Sequence, residues 1–204
     1  MFKMKKELKQ LNELERLSSK MRLAAESWDE KWKTLIAIIL SARSRDETTI
    51  LVAEKLFDKY NTLESLANSK LSSIQTIIRS VNFYKNKSKN ILNCAKILIN
   101  DYKGKIPETI EELIKLPGVG RKTANVFLAE YGGDTIGVDT HVSYVSQKLN
   151  WTKNKNPEKI EKDLERLFQK IYWRKINQTL VLFGKTYTRK KEKDKILEKI
   201  KNLT

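Results

Sequence analysis

From Leu8 to Leu197, apolar residues return at every third or fourth position, and no stretch sustains an alternation of apolar and polar. A repeat near 3.6 puts apolar side chains on one face of a helix, whereas a half-buried strand needs a repeat of two. The chain is therefore expected to be all-α with short connections. Leucines at 8, 11, 14 and 17 mark a helix over residues 7–23, and KWKTLIAIILSA marks an apolar one over 31–42. A helix over 46–60 has Asp46 as its candidate N-cap. Short helices follow over 62–67 and 71–81, then a longer amphipathic one over 87–102. Beyond Pro107 the pattern predicts helices over 109–116 and 121–131, a stop at Gly132-Gly133, and a helix over 140–149 capped by Asp139. Pro157 opens another that runs to about Tyr172, and the last two cover 174–187 and 190–200.

A chain of 204 residues can bury a sizeable core. No apolar run approaches the ~18–20 residues needed to span a bilayer. The lysine-rich N-terminus lacks the apolar stretch of a signal peptide. A cytoplasmic protein with no membrane partner is expected. The single cysteine, Cys94, and the single histidine, His141, exclude an intrachain disulfide and any multi-cysteine or multi-histidine metal site built from this chain alone. Cys94 lies among Ile91, Leu92, Ala95 and Leu98 and reads as core. The net charge of +16 attracts polyanions. It is equally compatible with a membrane surface or a lysine-biased composition.

The segment Leu116-Pro117-Gly118-Val119-Gly120-Arg121-Lys122-Thr123 carries most of the chemical information. Gly118 and Gly120 are free to take positive φ and to let another backbone come close. Pro117 stiffens the entry, and Val119 can plug the turn into a core. The N–H groups of the hairpin and of the first turn of the next helix then face outward at the positive end of the helix dipole. That arrangement binds anions, and a DNA phosphate fits it. A ligand-free αα-hairpin is the alternative for a G-x-G taken alone. A P-loop is excluded because G-x-x-x-x-G-K-[ST] is absent.

Lys122 follows this loop, and Asp139 lies beyond the next helix. About ten helical residues run ~15 Å away from the hairpin at ~1.5 Å each. An extended return over 134–139 comes back ~16–20 Å at ~3.3 Å per residue. The two side chains are therefore expected to finish close together. A lysine at a helix N-terminus, if partly desolvated, is expected to have a lowered pKa and to act as an amine nucleophile. An ionised Asp139 could accept a proton or stabilise a cationic sugar. Taken singly, Lys122 reads equally as a surface lysine and Asp139 as a plain N-cap.

The segment LPGVGRKTANVFLAEYGGDTIGVDTHV strongly resembles the signature of endonuclease III, in the helix-hairpin-helix superfamily of DNA glycosylases. The likeness extends to LIAIILSARSRDETT (35–49), to the stretch from Phe83 to Ile91, and to Val181-Leu182-Phe183-Gly184-Lys185. It implies two helical domains with a cleft between them: 25–134 with the hairpin, and 1–24 with 135–204. The damaged nucleotide would be flipped into that cleft. Lys122 would be the Schiff-base nucleophile and Asp139 the group assisting base departure. Pro117, Gly118, Val119, Gly120, Arg121 and Thr123 would bind the DNA backbone. By alignment, Arg43 would fill the gap left by the extruded base and Phe83 would wedge into the stack. The implied activity is excision of oxidised pyrimidines from double-stranded DNA, followed by strand cleavage at the abasic site by β-elimination. A monomer associated with the nucleoid is expected.

One departure stands out. Typical members end in four cysteines that bind a [4Fe–4S] cluster; here Thr188 holds the first position and no cysteine follows. No cluster, and no other cofactor, is expected. A lysine-rich helix is expected in its place, packing Ile196, Leu197 and Ile200 inward and turning lysines toward DNA. Arg43, where glutamine is usual, leaves lesion and opposite-base preference open. A mismatch or 8-oxoguanine glycosylase on the same scaffold, or a non-catalytic DNA-binding hairpin module, are the competing readings.

Overall fold

The computed structural model describes residues 5–131, 133 and 135–203. Twelve α-helices run in chain order through these residues, with no strand among them. They are α1 (Lys6–Leu17), α2 (Lys31–Ser41), α3 (Asp46–Lys59), α4 (Leu63–Ala67), α5 (Leu71–Ile78) and α6 (Tyr84–Asn100). Then come α7 (Ile110–Leu113), α8 (Arg121–Glu130), α9 (Thr140–Lys148), α10 (Pro157–Leu167), α11 (Trp173–Thr186) and α12 (Lys190–Lys201). The chain divides into two compact units: Arg22–Glu130, and the remainder contributed by both chain ends.

In the continuous unit, α2 is the central helix. Every residue from Trp32 to Leu40 is buried, because α3, α6 and α8 all pack against it. Leu35, Ile36 and Leu40 are fully enclosed, and each such side chain stabilises the unit by about 1.5–3 kcal/mol. Trp28 and Trp32 meet Phe57 of α3 edge-on, with ring centroids 4.9 and 5.3 Å apart. A capping box between Thr62 and Ser65 starts α4.

In the unit made from both chain ends, α1 packs on α11 and α12, and α9 packs on the same two helices. The last helix is well anchored. Leu197 and Ile200 are buried and Ile196 is half-buried. The buried carboxamide of Gln10 donates to the carbonyls of Ile200 and Lys201, 3.2 Å each, and accepts the indole N–H of Trp151 at 2.7 Å. One side chain of α1 thus bonds two of the C-terminal carbonyls of α12, a helix end where the last carbonyls lack the regular i+4 donor. At the other end of α12, Lys193 donates to Gly184 O of α11 at 2.9 Å. Asp194 accepts from the Tyr144 hydroxyl and pairs with Lys148 at 3.1 Å.

Several boundaries differ from expectation. α5 ends at Ile78 rather than 81, and α10 ends at Leu167 rather than near Tyr172, with a separate 3-10 turn over Lys170–Tyr172. The first helix ends at Leu17, not at 23. Ser18 turns extended and bonds back to Leu14 O, and the Ser19 N–H goes to the Thr186 hydroxyl, so serines draw the backbone out of the helix. Asp46 is the first helical residue rather than the cap, with Arg45 in the cap position and no side-chain cap bond. There Asp46 and Glu47 complement the helix dipole instead. The amphipathic helix starts at Tyr84, earlier than 87, and α7 is only Ile110–Leu113 because tight turns lead into Pro117. Gly132, expected with Gly133 to reverse the chain, and Asp134, expected to begin the extended return to Asp139, lie outside the described residues.

Replacing Gln10 with Leu is expected to remove about 1–3 kcal/mol of stability, since the Trp151 N–H loses its acceptor and the end of α12 loses two side-chain bonds. Urea unfolding should show a lower midpoint at an unchanged slope.

Candidate active site

The hairpin sits in the continuous unit. Leu116 and Val119 are buried in its core, and the Val119 N–H returns to Leu116 O at 3.0 Å. Gly118 has φ +83°. A Cβ there would stand 3.0 Å from Asn90 Cβ and 3.2 Å from Ile39 Cγ2, so the bare backbone lies directly on α6 and α2. Gly120 behaves differently from expectation. Its φ is not positive, and nothing would meet a Cβ placed on it. Its smallness leaves open space in front of α8 rather than serving the turn.

The α8 ladder begins with the Ala124 N–H bonded to Gly120 O at 3.0 Å. The first-turn N–H groups of α8 therefore point out of the helix start, as helix geometry requires. Arg121 and Lys122 are exposed there, with Pro117 and Thr123 half-buried.

Arg43 and Phe83 lie side by side in the same unit. The Arg43 guanidinium carbon is 5.6 Å from the centroid of the Phe83 ring. Both residues are left-handed, φ 55° and 58°, a conformation uncommon for bulky L residues. Both are exposed, and Phe83 is the apex of the turn that opens α6. Beneath them Lys87 is buried; its Nζ donates to Leu40 O at 2.6 Å and to Ser44 Oγ at 3.0 Å. Burial pushes this ammonium down to about 8. Sequence reasoning missed Lys87. The available signal was a lysine on the apolar stripe of α6, in line with Ile91, Ala95 and Leu98.

Asp139 belongs to the other unit. Its Oδ1 accepts the N–H groups of His141 and Val142, 2.8 Å each, capping α9 as expected. The approach to it is held down in two places. The Thr135 hydroxyl donates to buried Glu161 at 2.9 Å, and the Asn177 amide donates to Gly137 O. The imidazole of His141 lies on Gly184, where a Cβ would fall 2.2 Å from Nδ1. Gly184, inside the otherwise regular α11, is thus the contact that lets α9 and α11 approach closely.

No cluster of three or more metal-ligating side chains is present among the described residues. A [4Fe–4S] cluster takes four thiolates. The one cysteine in the chain, Cys94, is fully enclosed in the core of the continuous unit, where burial pushes its thiol up to about 12. These residues do not fit such a cluster.

Residues 36–170, a span holding Arg43, Phe83, the hairpin, Lys122 and Asp139, match the HhH-GPD superfamily of base excision DNA repair proteins. The chain belongs to that superfamily. This HhH-GPD protein is 39% identical over 157 residues to endonuclease III of Thermotoga maritima, covering 76% of this chain and 74% of that one. Over 156 residues it is 39% identical to endonuclease III of Bacillus subtilis, covering 76% and 71%. Its fold matches a solved structure of a trapped endonuclease III–DNA covalent intermediate with a TM-score of 0.81 at 32% identity, over 92% of this chain and 89% of that one. A thermostable thymine-DNA glycosylase, at 20% identity and a TM-score of 0.78, shares the fold. The protein is an endonuclease III-like DNA glycosylase/AP lyase.

The two hairpin glycines should separate on substitution. Gly118→Ala is expected to cost about 1 kcal/mol or more in stability, from its positive φ and the contact with Asn90. Gly120→Ala should unfold within about 0.5 kcal/mol of the parent yet bind duplex DNA more weakly, because the methyl group fills the space in front of α8. Urea unfolding and fluorescence anisotropy at fixed salt check both.

Proposed function

We propose that this HhH-GPD protein excises oxidised pyrimidines from double-stranded DNA and cuts the strand at the abasic site through a lysine Schiff base. The observation that carries the reading is Lys122, exposed in the first turn of α8, directly after a glycine hairpin whose open face suits a phosphate. A hairpin that only bound phosphate would have no need of an amine in reach of the sugar.

In this reading the hairpin and the α8 N-terminus grip the sugar-phosphate chain. The neutral Nζ of Lys122 attacks C1′ of the everted nucleotide. The C1′–N bond breaks, and the base leaves with the electron pair and takes up a proton. Asp139, pinned at the α9 N-terminus by two N–H bonds, accepts the lysine proton and stabilises the cationic sugar. The C1′–O4′ bond then opens, O4′ taking up a proton, and the resulting C1′ iminium acidifies C2′. Loss of a C2′ proton then expels the 3′ phosphate, and water releases the lysine. Arg43 occupies the vacated position in the stack and Phe83 wedges beside it.

We infer further that the chain works as a monomer and without an iron–sulfur cluster. The second point rests on its single, core-buried cysteine and on α12, which is itself anchored by Gln10, Leu197 and Ile200; the first rests on the family resemblance alone.

Borohydride should trap a covalent adduct with a duplex carrying an abasic site. Lys122→Ala should form no adduct and still bind. A wild-type protein that gives no adduct overturns the lyase mechanism. Asp139→Asn keeps a good N-cap, so its melting should be unchanged. Its excision of thymine glycol should slow by about 10²-fold or more, as single-turnover kinetics would show.

A further inference from the structure

The two exposed side chains assigned to DNA probing come from separate loops, after α2 and before α6, yet they share one buried support. Lys87 Nζ donates to Leu40 O, a last-turn carbonyl of α2, and to Ser44 Oγ. That same hydroxyl oxygen accepts the Asn82 N–H at 3.1 Å. The Asn82 side-chain amide then donates to Arg43 O at 2.5 Å. The chain of bonds runs from α6 to the end of α2, across to the second loop, and back to the backbone of Arg43. Phe83 follows Asn82 directly, and its carbonyl accepts the Lys87 N–H at 3.0 Å.

We propose that Lys87, Ser44 and Asn82 form a latch that locks Arg43 and Phe83 into one two-pronged probe, and that Lys87 is therefore a positioning residue for nucleotide eversion. This rests on the proposed roles of Arg43 and Phe83.

Three observations carry it. Lys87 lies on the apolar stripe of α6, where a hydrocarbon side chain would fill the space without the desolvation cost of a charge. The Leu40 carbonyl needs only a donor, which a neutral side chain could supply, so core stability alone does not call for a charged one that also reaches Ser44. Next, the prongs are held in uphill left-handed backbone conformations, and such outliers persist only where their surroundings over-determine them. The latch supplies that constraint: it ties down the carbonyl of Arg43 and both sides of Phe83. Finally, the prongs themselves are exposed and make a single mutual contact, guanidinium over ring. A wedge and a gap-filler that arrive together avoid ordering two loops separately on the DNA.

The test uses the full chain and two readouts. One is fluorescence of 2-aminopurine placed beside a tetrahydrofuran abasic analogue in a duplex, which rises when the base is unstacked. The other is the rate of borohydride trapping on an abasic site in duplex DNA divided by the rate in single-stranded DNA, which has no stack to open. Lys87→Met and Asn82→Ala are both expected to lower this ratio by about tenfold or more and to lose most of the fluorescence rise at saturating protein. Asn82 is exposed, so its substitution tests the latch without touching the core. Phe83→Ala is the control for the underlying reading. Should Phe83→Ala keep the full fluorescence rise, the wedge role is wrong and the latch has nothing to position. If Phe83→Ala loses it while Lys87→Met and Asn82→Ala behave as wild type, the latch alone is overturned. A parallel fall of both trapping rates, leaving their ratio unchanged, also overturns it, because that is loss of fold rather than of position.

Discussion

Every α-helix leaves backbone N–H groups at its start and carbonyls at its end without partners inside the helix. In a chain built almost wholly of helices, that deficit recurs at each connection and must be met locally. Here it is met by specific side chains. Asp139 closes the start of α9 and Asn156 the start of α10. Gln10 closes the end of α12, Lys193 bonds a carbonyl of α11, and Lys87 bonds one of α2. The start of α8 is the site proposed for a phosphate. Much of the functional geometry follows from which ends are sealed by protein and which are offered to DNA.

This view separates the two kinds of polar side chain that the core admits. Gln10 and Glu161 are neutral or acidic groups serving unit architecture, each with short bonds to neighbouring elements. Lys87 serves a helix end too, but its ammonium also reaches Ser44 in the loop of Arg43, and the Ser44 hydroxyl in turn holds the loop of Phe83. A cation near a helix C-terminus is electrostatically favoured, which offsets part of the cost of burying it. The same position is thus acceptable to the fold and useful to the surface above it.

Much of this was legible in the residues themselves. The all-helical class followed from the apolar repeat, and the hairpin from two glycines around a valine. The Asp139 cap followed from an aspartate just ahead of an amphipathic run. The errors came where side chains compete with periodicity. Ser18 and Ser19 end α1 although leucines precede them at helical spacing, and Asp46 enters its helix instead of capping it. Gly120 was read as a conformational glycine and is a spatial one. Lys87, Asn177 and Gly184 were passed over, because their importance lies in contacts between segments distant in sequence. No local pattern announces that a lysine on an apolar stripe has a carbonyl waiting 47 residues earlier.

The junction of α1 with α12 through Gln10 has a consequence for biosynthesis. Arg22–Glu130 is one uninterrupted stretch, so its core can assemble as soon as α8 leaves the ribosome, in the way domains fold as units during translation. The other unit cannot. Its helix α1 emerges before Arg22–Glu130, and then waits with Leu11 and Leu14 uncovered until α12 is made. The α1 segment is therefore the part of these helices that chaperones have most reason to shield.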